Sequence, residues 1–160
     1  MSVTIRTAGS DDVDLLVRLN RSVQDLHAAL HPGDFKAAPD PAEVRAFFRA
    51  QLGEPGTIMA IASVGAVAAG YIWLDIALQP ETAFLHARQC LVVEQIAVEP
   101  GFRRQGVGRA LIGHAEATAA ARAIDRIDLG IWAGNGEAKA FFAALGFATA
   151  SFALRRTLRA

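Results

Sequence analysis

Three things are scarce in this sequence: charge of one sign, cysteine and tyrosine. Sixteen Lys and Arg residues balance sixteen Asp and Glu, so the formal net charge is zero. The sequence pI is near 6.9. That balance excludes bulk electrostatic attraction to nucleic acid or to an anionic membrane, and neither is expected as a partner. The single Cys90 excludes an internal disulfide, and no Cys/His spacing suits a metal, so no metal is expected. Its neighbours Leu91, Val92 and Val93 suggest a buried structural thiol. Tyr71 is the one phenol in the chain. The start, Met1-Ser2-Val3-Thr4-Ile5-Arg6, shows no basic segment leading into an apolar one, so no signal peptide is expected. Residues 57–74 carry no charge, yet Gly65 and Gly70 interrupt them. The run also falls short of the ~20 residues that a membrane-spanning helix needs. These exclusions together predict a cytoplasmic protein.

What is present is a core. Apolar residues make up 52% of the 160 and charged residues 20%, and mean hydropathy is +0.28. A chain of this size buries roughly 70% of its unfolded surface, enough for one domain spanning 1–160. Alternating Val3-Thr4-Ile5-Arg6 predicts a first strand. Ser10-Asp11-Asp12 caps a helix carrying Val13, Leu16, Val17, Val23, Leu26 and Leu30, broken at Pro32-Gly33. A second helix starts at Asp40-Pro41 and runs through Val44, Phe47, Phe48 and Leu52, with the Phe pair read as core. Residues 58–63 and 66–76 make a hairpin, and 90–98 a strand ending at Glu99-Pro100. A helix over 106–124, a strand over 127–132, a helix over 137–145 and a terminal strand over 147–158 complete the order. That order, β-α-α-β-β-β-α-β-α-β, predicts an α/β (α+β) fold built on a mixed sheet.

The segment from Val98 to Leu111 carries the chemistry. A strand ends, a short loop brings Arg103 and Arg104, Gly106 and Gly108 follow, and a helix begins at Val107 and Arg109. Free N–H groups at a helix start suit an anion, and glycine admits close approach of phosphate oxygens. A nucleotide P-loop is excluded because Val107-Gly108 stand where Lys-Ser/Thr is required, and a dinucleotide fingerprint is excluded by Leu111. On Gly-x-Gly alone, a tight packing turn is an equal alternative.

A second block decides between them. Arg103-Arg104-Gln105-Gly106-Val107-Gly108 resembles the acyl-CoA pyrophosphate motif [Q/R]-x-x-G-x-[G/A] of the GNAT superfamily of N-acetyltransferases. The preceding Gln95-Ile96-Ala97-Val98-Glu99-Pro100 is similar to that family as well. So is Asn135 followed by Ala138, Phe141-Phe142 and Leu145-Gly146-Phe147, and so is Gly70-Tyr71 in the hairpin. The resemblance implies a GNAT-like fold whose central parallel strands, 90–98 and 127–132, splay apart into a cleft.

It further implies acetyl-CoA as co-substrate. The pantetheine arm would pair with the backbone of Ile96, Ala97 and Val98, and the pyrophosphate would be held by Arg103 and by the amides of Arg104, Gln105, Gly106, Val107, Gly108 and Arg109. Asn135 would contact the arm, with Ala138 and Phe141 lining its far wall. The Val98 N–H would meet the thioester oxygen. Glu94, taken to share strand parity with Ile96 and Val98, is the candidate general base, with a strand-surface carboxylate as the alternative. Gln95 then points the other way and is structural. The acceptor would be a primary amine of a small molecule or peptide, attacking directly in a ternary complex. The acceptor side would come from the first two helices and the loop after the hairpin; there His27, His31, Asp34 and Phe35 at a helix end, and Asp75, Glu81 and His86 around the loop, read first as solvated or capping residues and only second as acceptor ligands. One departure stands out: Phe142 occupies a position where many members have a proton-donating Tyr. It keeps a second expectation open, a non-catalytic acyl-CoA-binding or regulatory module. The apolar stretch 150–154 is a candidate edge for a homodimer.

Overall fold

In the computed structural model, which describes residues 2–158, alternation and β-branching at the start form β1 (Val3–Thr7). It lies antiparallel to β2 (Thr57–Val64), which turns at Gly65 into β3 (Val67–Gln79). Gly65 takes φ +60°, a conformation that glycine adopts without strain. β4 (Arg88–Val98) continues the antiparallel run, and β5 (Ile127–Leu129) joins β4 in parallel, giving a sheet in the order 1-2-3-4-5. The chain forms two compact units, one up to Gly130 that contains this sheet, and one from Ile131 onward.

Each face of the sheet is covered by different helices. α1 (Val13–Leu30) and α2 (Pro41–Leu52) bring Val13, Leu16, Leu19 and Phe48 into one cluster with Met59, Ile61, Tyr71 and Ala97. Ile61, Tyr71 and Ala97 are cross-strand neighbours, so they mark a single face. α2 begins where expected because Asp40 accepts the Ala42 N–H at 3.0 Å and Pro41 presets the first turn. α3 (Val107–Ala120) covers the opposite face, where Val107 packs behind Gly70. Upstream, Arg6 on β1 grips Asp12 through two bonds of 2.6 and 2.8 Å, and Asp12 also accepts the Gly9 N–H at 2.9 Å. The Arg6 hydrogen bond chiefly, with help from Gly9, holds the Asp12 carboxyl down to about 2. A depressed acid stabilises the fold above its unfolded pKa, and that contribution disappears as the pH falls towards 2.

The unit from Ile131 holds α4 (Gly136–Ala144), with Phe141, Phe142 and Phe147 stacked edge to face at 5.0 and 5.5 Å. Three sequence expectations change. Residues 147–158 form no strand, and Leu154 is 96% exposed. Their apolar alternation supplies side chains but no strand of this unit offers a backbone partner among the described residues. The strand expected over 127–132 stops at Leu129, and the helix expected to reach 124 stops at Ala120. That helix is closed by the Ile124 N–H returning to the Ala119 carbonyl at 3.0 Å, with Ala123 at φ +54°.

Two glycine substitutions separate close packing from conformational entropy. A Cβ on Gly70 would stand 2.4 Å from the Ala97 carbonyl oxygen and 3.4 Å from Val107 Cγ1. Gly70→Ala is therefore expected to lower stability by about 1–3 kcal/mol. Gly113 in α3 has open space around it, so Gly113→Ala is expected to raise stability by ~0.5–1 kcal/mol. Urea denaturation of both variants checks the opposite signs.

Candidate functional site

β4 carries one residue more than β3 can match. Leu74 pairs with Val93 and Trp73 with Gln95, which leaves Glu94 without a cross-strand partner. This is a one-residue bulge, and it reverses the strand's alternation from that point on. Before it, the Leu91 N–H points to the β5 side, where it donates to Arg126 at 2.9 Å. Unbroken alternation would send Val93, Gln95, Ala97 and Glu99 the same way. Instead the Glu99 N–H turns to β3 and donates to Ala69 at 2.8 Å. The Val98 N–H, and with it that of Ile96, therefore faces away from β3. β5 pairs with β4 only at Leu91, Val92 and Val93, so among the described residues this stretch of edge has no strand on it. Of the three residues expected to present backbone there, Ile96 and Val98 do so. The Ala97 carbonyl lies against Gly70 on β3, and its side chain is in the core.

The edge leads directly into the loop before α3. A 3-10 turn at 100–102 follows Glu99, then Arg104 takes φ +61° and Gly106 φ +85°. The first bond of the helix runs from the Ala110 N–H to the Gly106 carbonyl at 2.9 Å. The N–H groups of Val107, Gly108 and Arg109 precede it and have no intrahelical partner. The Val107 side chain is buried and anchors the turn, while Arg103, Arg104 and Arg109 stand exposed around it. Gln105 Nε2 donates to the Gly101 carbonyl at 2.9 Å, and Arg103 Nε reaches the Val98 carbonyl at 3.4 Å. Backbone donors, a helix dipole and three guanidinium groups make this loop fit a pyrophosphate.

The bulge also corrects the side-chain parity assumed for Glu94. Gln95 and Ala97 share the α1/α2 face with Trp73 and Tyr71, whereas Val98 faces α3 with Gly70. Glu94 shares no parity with Ile96 or Val98. It is exposed. Partial burial, then the charge of Asp75, push its carboxyl above the ordinary range. Asp75 Oδ1 itself accepts from Thr57 Oγ1 and, at 3.0 Å, from Trp73 Nε1.

Gln95 is more than structural. A cavity of about 310 Å³ opens on the α1/α2 face, lined by Asn20, Gln24, Pro39, Glu43, Val44, Phe47, Phe48, Trp73 and Gln95. Asn20 Nδ2 donates to Tyr71 Oη at 3.0 Å and to Gln95 Oε1 at 2.8 Å, and Tyr71 donates to Gln95. Burial pushes the Tyr71 phenol far above its usual range, so it stays protonated and acts as a donor. Phe48 is buried as expected, but Phe47 is 47% exposed and packs edge-on against Trp73 at 5.5 Å. Sequence reading missed Asn20 and Trp73; the one available signal was a carboxamide in the apolar stripe of α1.

In the unit from Ile131, Asn135 Oδ1 accepts the Ala138 N–H at 3.1 Å and so caps α4. Ala138 and Phe141 are half-buried, Phe142 is buried, and Trp132 is exposed. Cys90 is buried, and burial followed by the charge of Asp128 raises its thiol, which disfavours a thiolate nucleophile. His27 stacks on Phe35 at 4.8 Å, and burial with the nearby His31 lowers its pKa. Neither residue lines the cavity. Among the described residues no group of His, Cys, Asp and Glu is placed to hold a metal, and no helix is long and apolar enough to cross a membrane.

Comparison with known proteins places this geometry. The Acetyltransferase (GNAT) family model matches residues 21–147. No curated protein matches the chain. A tetramutant of the BH1408 protein from Bacillus halodurans has a similar structure, with TM-score 0.91, 20% identity and coverage of 97% of this chain and 99% of that one. AAC(6')-Iy in complex with the bisubstrate analog CoA-S-monomethyl-acetylneamine is similar at TM-score 0.77 and 19% identity, covering 100% of both chains. The aminoglycoside N-acetyltransferase AAC(6')-Iy in complex with CoA is similar at TM-score 0.77 and 18% identity, covering 99% of this chain and 96% of that one.

The buried triad should be structural as well as positional. Tyr71→Phe removes the bridging hydroxyl and leaves the Asn20 and Gln95 amides short of a partner, and is expected to cost about 1–3 kcal/mol. Thermal unfolding should show the loss, and Asn20→Ala combined with it should cost less than the two changes summed.

Proposed function

The chain belongs to the GNAT acetyltransferase family and is an N-acetyltransferase; from that premise we propose that it moves an acetyl group from acetyl-CoA to a primary amine of a small molecule or peptide, by direct attack within a ternary complex. The observation that carries this is the bulge at Glu94. It turns the Ile96 and Val98 N–H groups onto an edge without a strand, immediately ahead of the Arg103–Arg109 donors. Those residues fit acetyl-CoA: edge amides for an extended amide-containing arm, and a cationic helix start for a pyrophosphate. When bound, it supplies the activated acetyl group.

The chain's own groups then divide the work. Ile96 and Val98 pair with the arm along the edge, while Ala97 between them roots the strand in the core. Arg103, Arg104, Gln105, Gly106, Val107, Gly108 and Arg109 hold the phosphates, the glycines through close approach and the arginines through charge. The Val98 N–H donates to the carbonyl oxygen as negative charge gathers there. An alkyl ammonium has a pKa of ~10 and must lose a proton before its nitrogen can attack. Glu94 accepts that proton, and its raised carboxyl pKa makes it a better base than an ordinary glutamate. The C–S bond breaks to release the thiolate, whose conjugate thiol has a pKa of ~8.5, and it takes its proton from water.

Titration calorimetry of acetyl-CoA into the wild type should show binding that Gly108→Asp abolishes, because the new carboxylate stands against the phosphates. Binding by both proteins would remove the loop from the site. Glu94→Gln should lower kcat by about a hundredfold while leaving the acetyl-CoA Kd within roughly twofold. Wild-type activity should fall as the pH drops through the raised Glu94 pKa, and the variant should lose that limb. An unchanged kcat overturns the base role, and tight binding with no transfer to any amine favours a non-catalytic module.

A further inference from the structure

Resting on the transferase reading above, we infer that the acceptor is a primary amine carried on a single apolar, ring-sized body. It is held in the cavity that α1 and α2 form over β3 and β4. Four observations carry this. The cavity reaches β4 at Gln95, the residue beside Glu94, so an amine at its inner end lies next to the group assigned as base. Its volume of about 310 Å³ is at the small end of ligand cavities, which run ~300–1,000 Å³. That suits one ring with a short tether.

The walls are hydrocarbon. Phe47 and Trp73 meet edge to face at 5.5 Å and Phe47 and Phe48 at 5.8 Å, with Val44 and Pro39 beside them. Phe47 is held half-exposed, so part of its ring remains to cover a bound apolar group.

The charge pattern argues the same way. Glu43 is the one carboxylate among the lining residues, and Lys36 Nζ already sits 3.2 Å from it. A polycation would find no further negative charge there, and burying its other ammonium groups unpaired would be costly. A single ammonium needs only the carboxylates that stand just outside that lining, Glu94 next to Gln95 along β4 and Asp75, which accepts from the lining Trp73. The polar floor of Asn20 and Gln95 is tied up with Tyr71, which holds its amides in fixed positions for one small polar group.

The test uses the full chain saturated with acetyl-CoA and measures initial rates for 2-phenylethylamine, spermidine and neamine. We expect kcat/KM to be roughly tenfold or more higher for 2-phenylethylamine, in line with one aromatic contact face. A peptide with an N-terminal Phe presents the same chemistry in another carrier, and its rate relative to 2-phenylethylamine shows which source the site prefers. Phe47→Ala, with folding checked by thermal unfolding and by an unchanged acetyl-CoA Kd, should raise KM for 2-phenylethylamine by roughly tenfold, more than it changes kcat. A preference for neamine or spermidine overturns the inference, as does a Phe47→Ala effect equal for all acceptors. No transfer to any of these amines, with acetyl-CoA still bound, also overturns it. Absence of acetyl-CoA binding in calorimetry instead overturns the transferase reading beneath it.

Discussion

A single extra residue in β4 decides what each side of that strand can do. Without Glu94 as a bulge, alternation from the Leu91 N–H would place the Gln95 and Ala97 amides on the open edge and turn Ile96 and Val98 inward. With it, the two halves of β4 serve different partners. The first half pairs with β5 and closes the sheet; the second leaves β5 behind and keeps its outward donors unpaired by any strand. The same residue is displaced from the regular ladder and exposed, which is where a carboxylate can exchange protons. The strand-free edge and the exposed carboxylate thus come from one irregularity rather than from two.

That irregularity has to be held. Gly70 lets β3 approach so closely that the Ala97 carbonyl fills the place of a side chain. On the opposite face, the Asn20, Tyr71 and Gln95 triad ties α1, β3 and β4 together just past the bulge. Buried polar groups stabilise only when fully paired, and here they fix the register of a strand whose local sequence would accept another one.

Much of this was legible in the residues. Apolar periodicity located both N-terminal helices, the hairpin and α3 to within a few residues. The turn and helix start at Arg103–Gly108 were recognisable because glycines at fixed spacing mark a backbone geometry. The parity of Glu94 was not legible, since a bulge is a mismatch between two strands and cannot be seen in one. The strand expected over 147–158 failed for a related reason: its pattern was present, but a partner is a property of the neighbourhood. Phe47 and Phe48 are adjacent and chemically identical, yet one is buried in the core and the other stands half-exposed, because successive helical positions lie about 100° apart.

The connection between Val98 and Val107 has a further consequence. It is a short segment braced by the turn at 100–102, by Gln105 on the Gly101 carbonyl and by Arg103 on the Val98 carbonyl. Its two ends each offer N–H donors, and the brace fixes the span between them. A molecule that engaged both ends would have to match that span, and the segment would then act as a gauge of length. Two ligands with the same headgroup and the same reactive end would be told apart by the reach of what joins them.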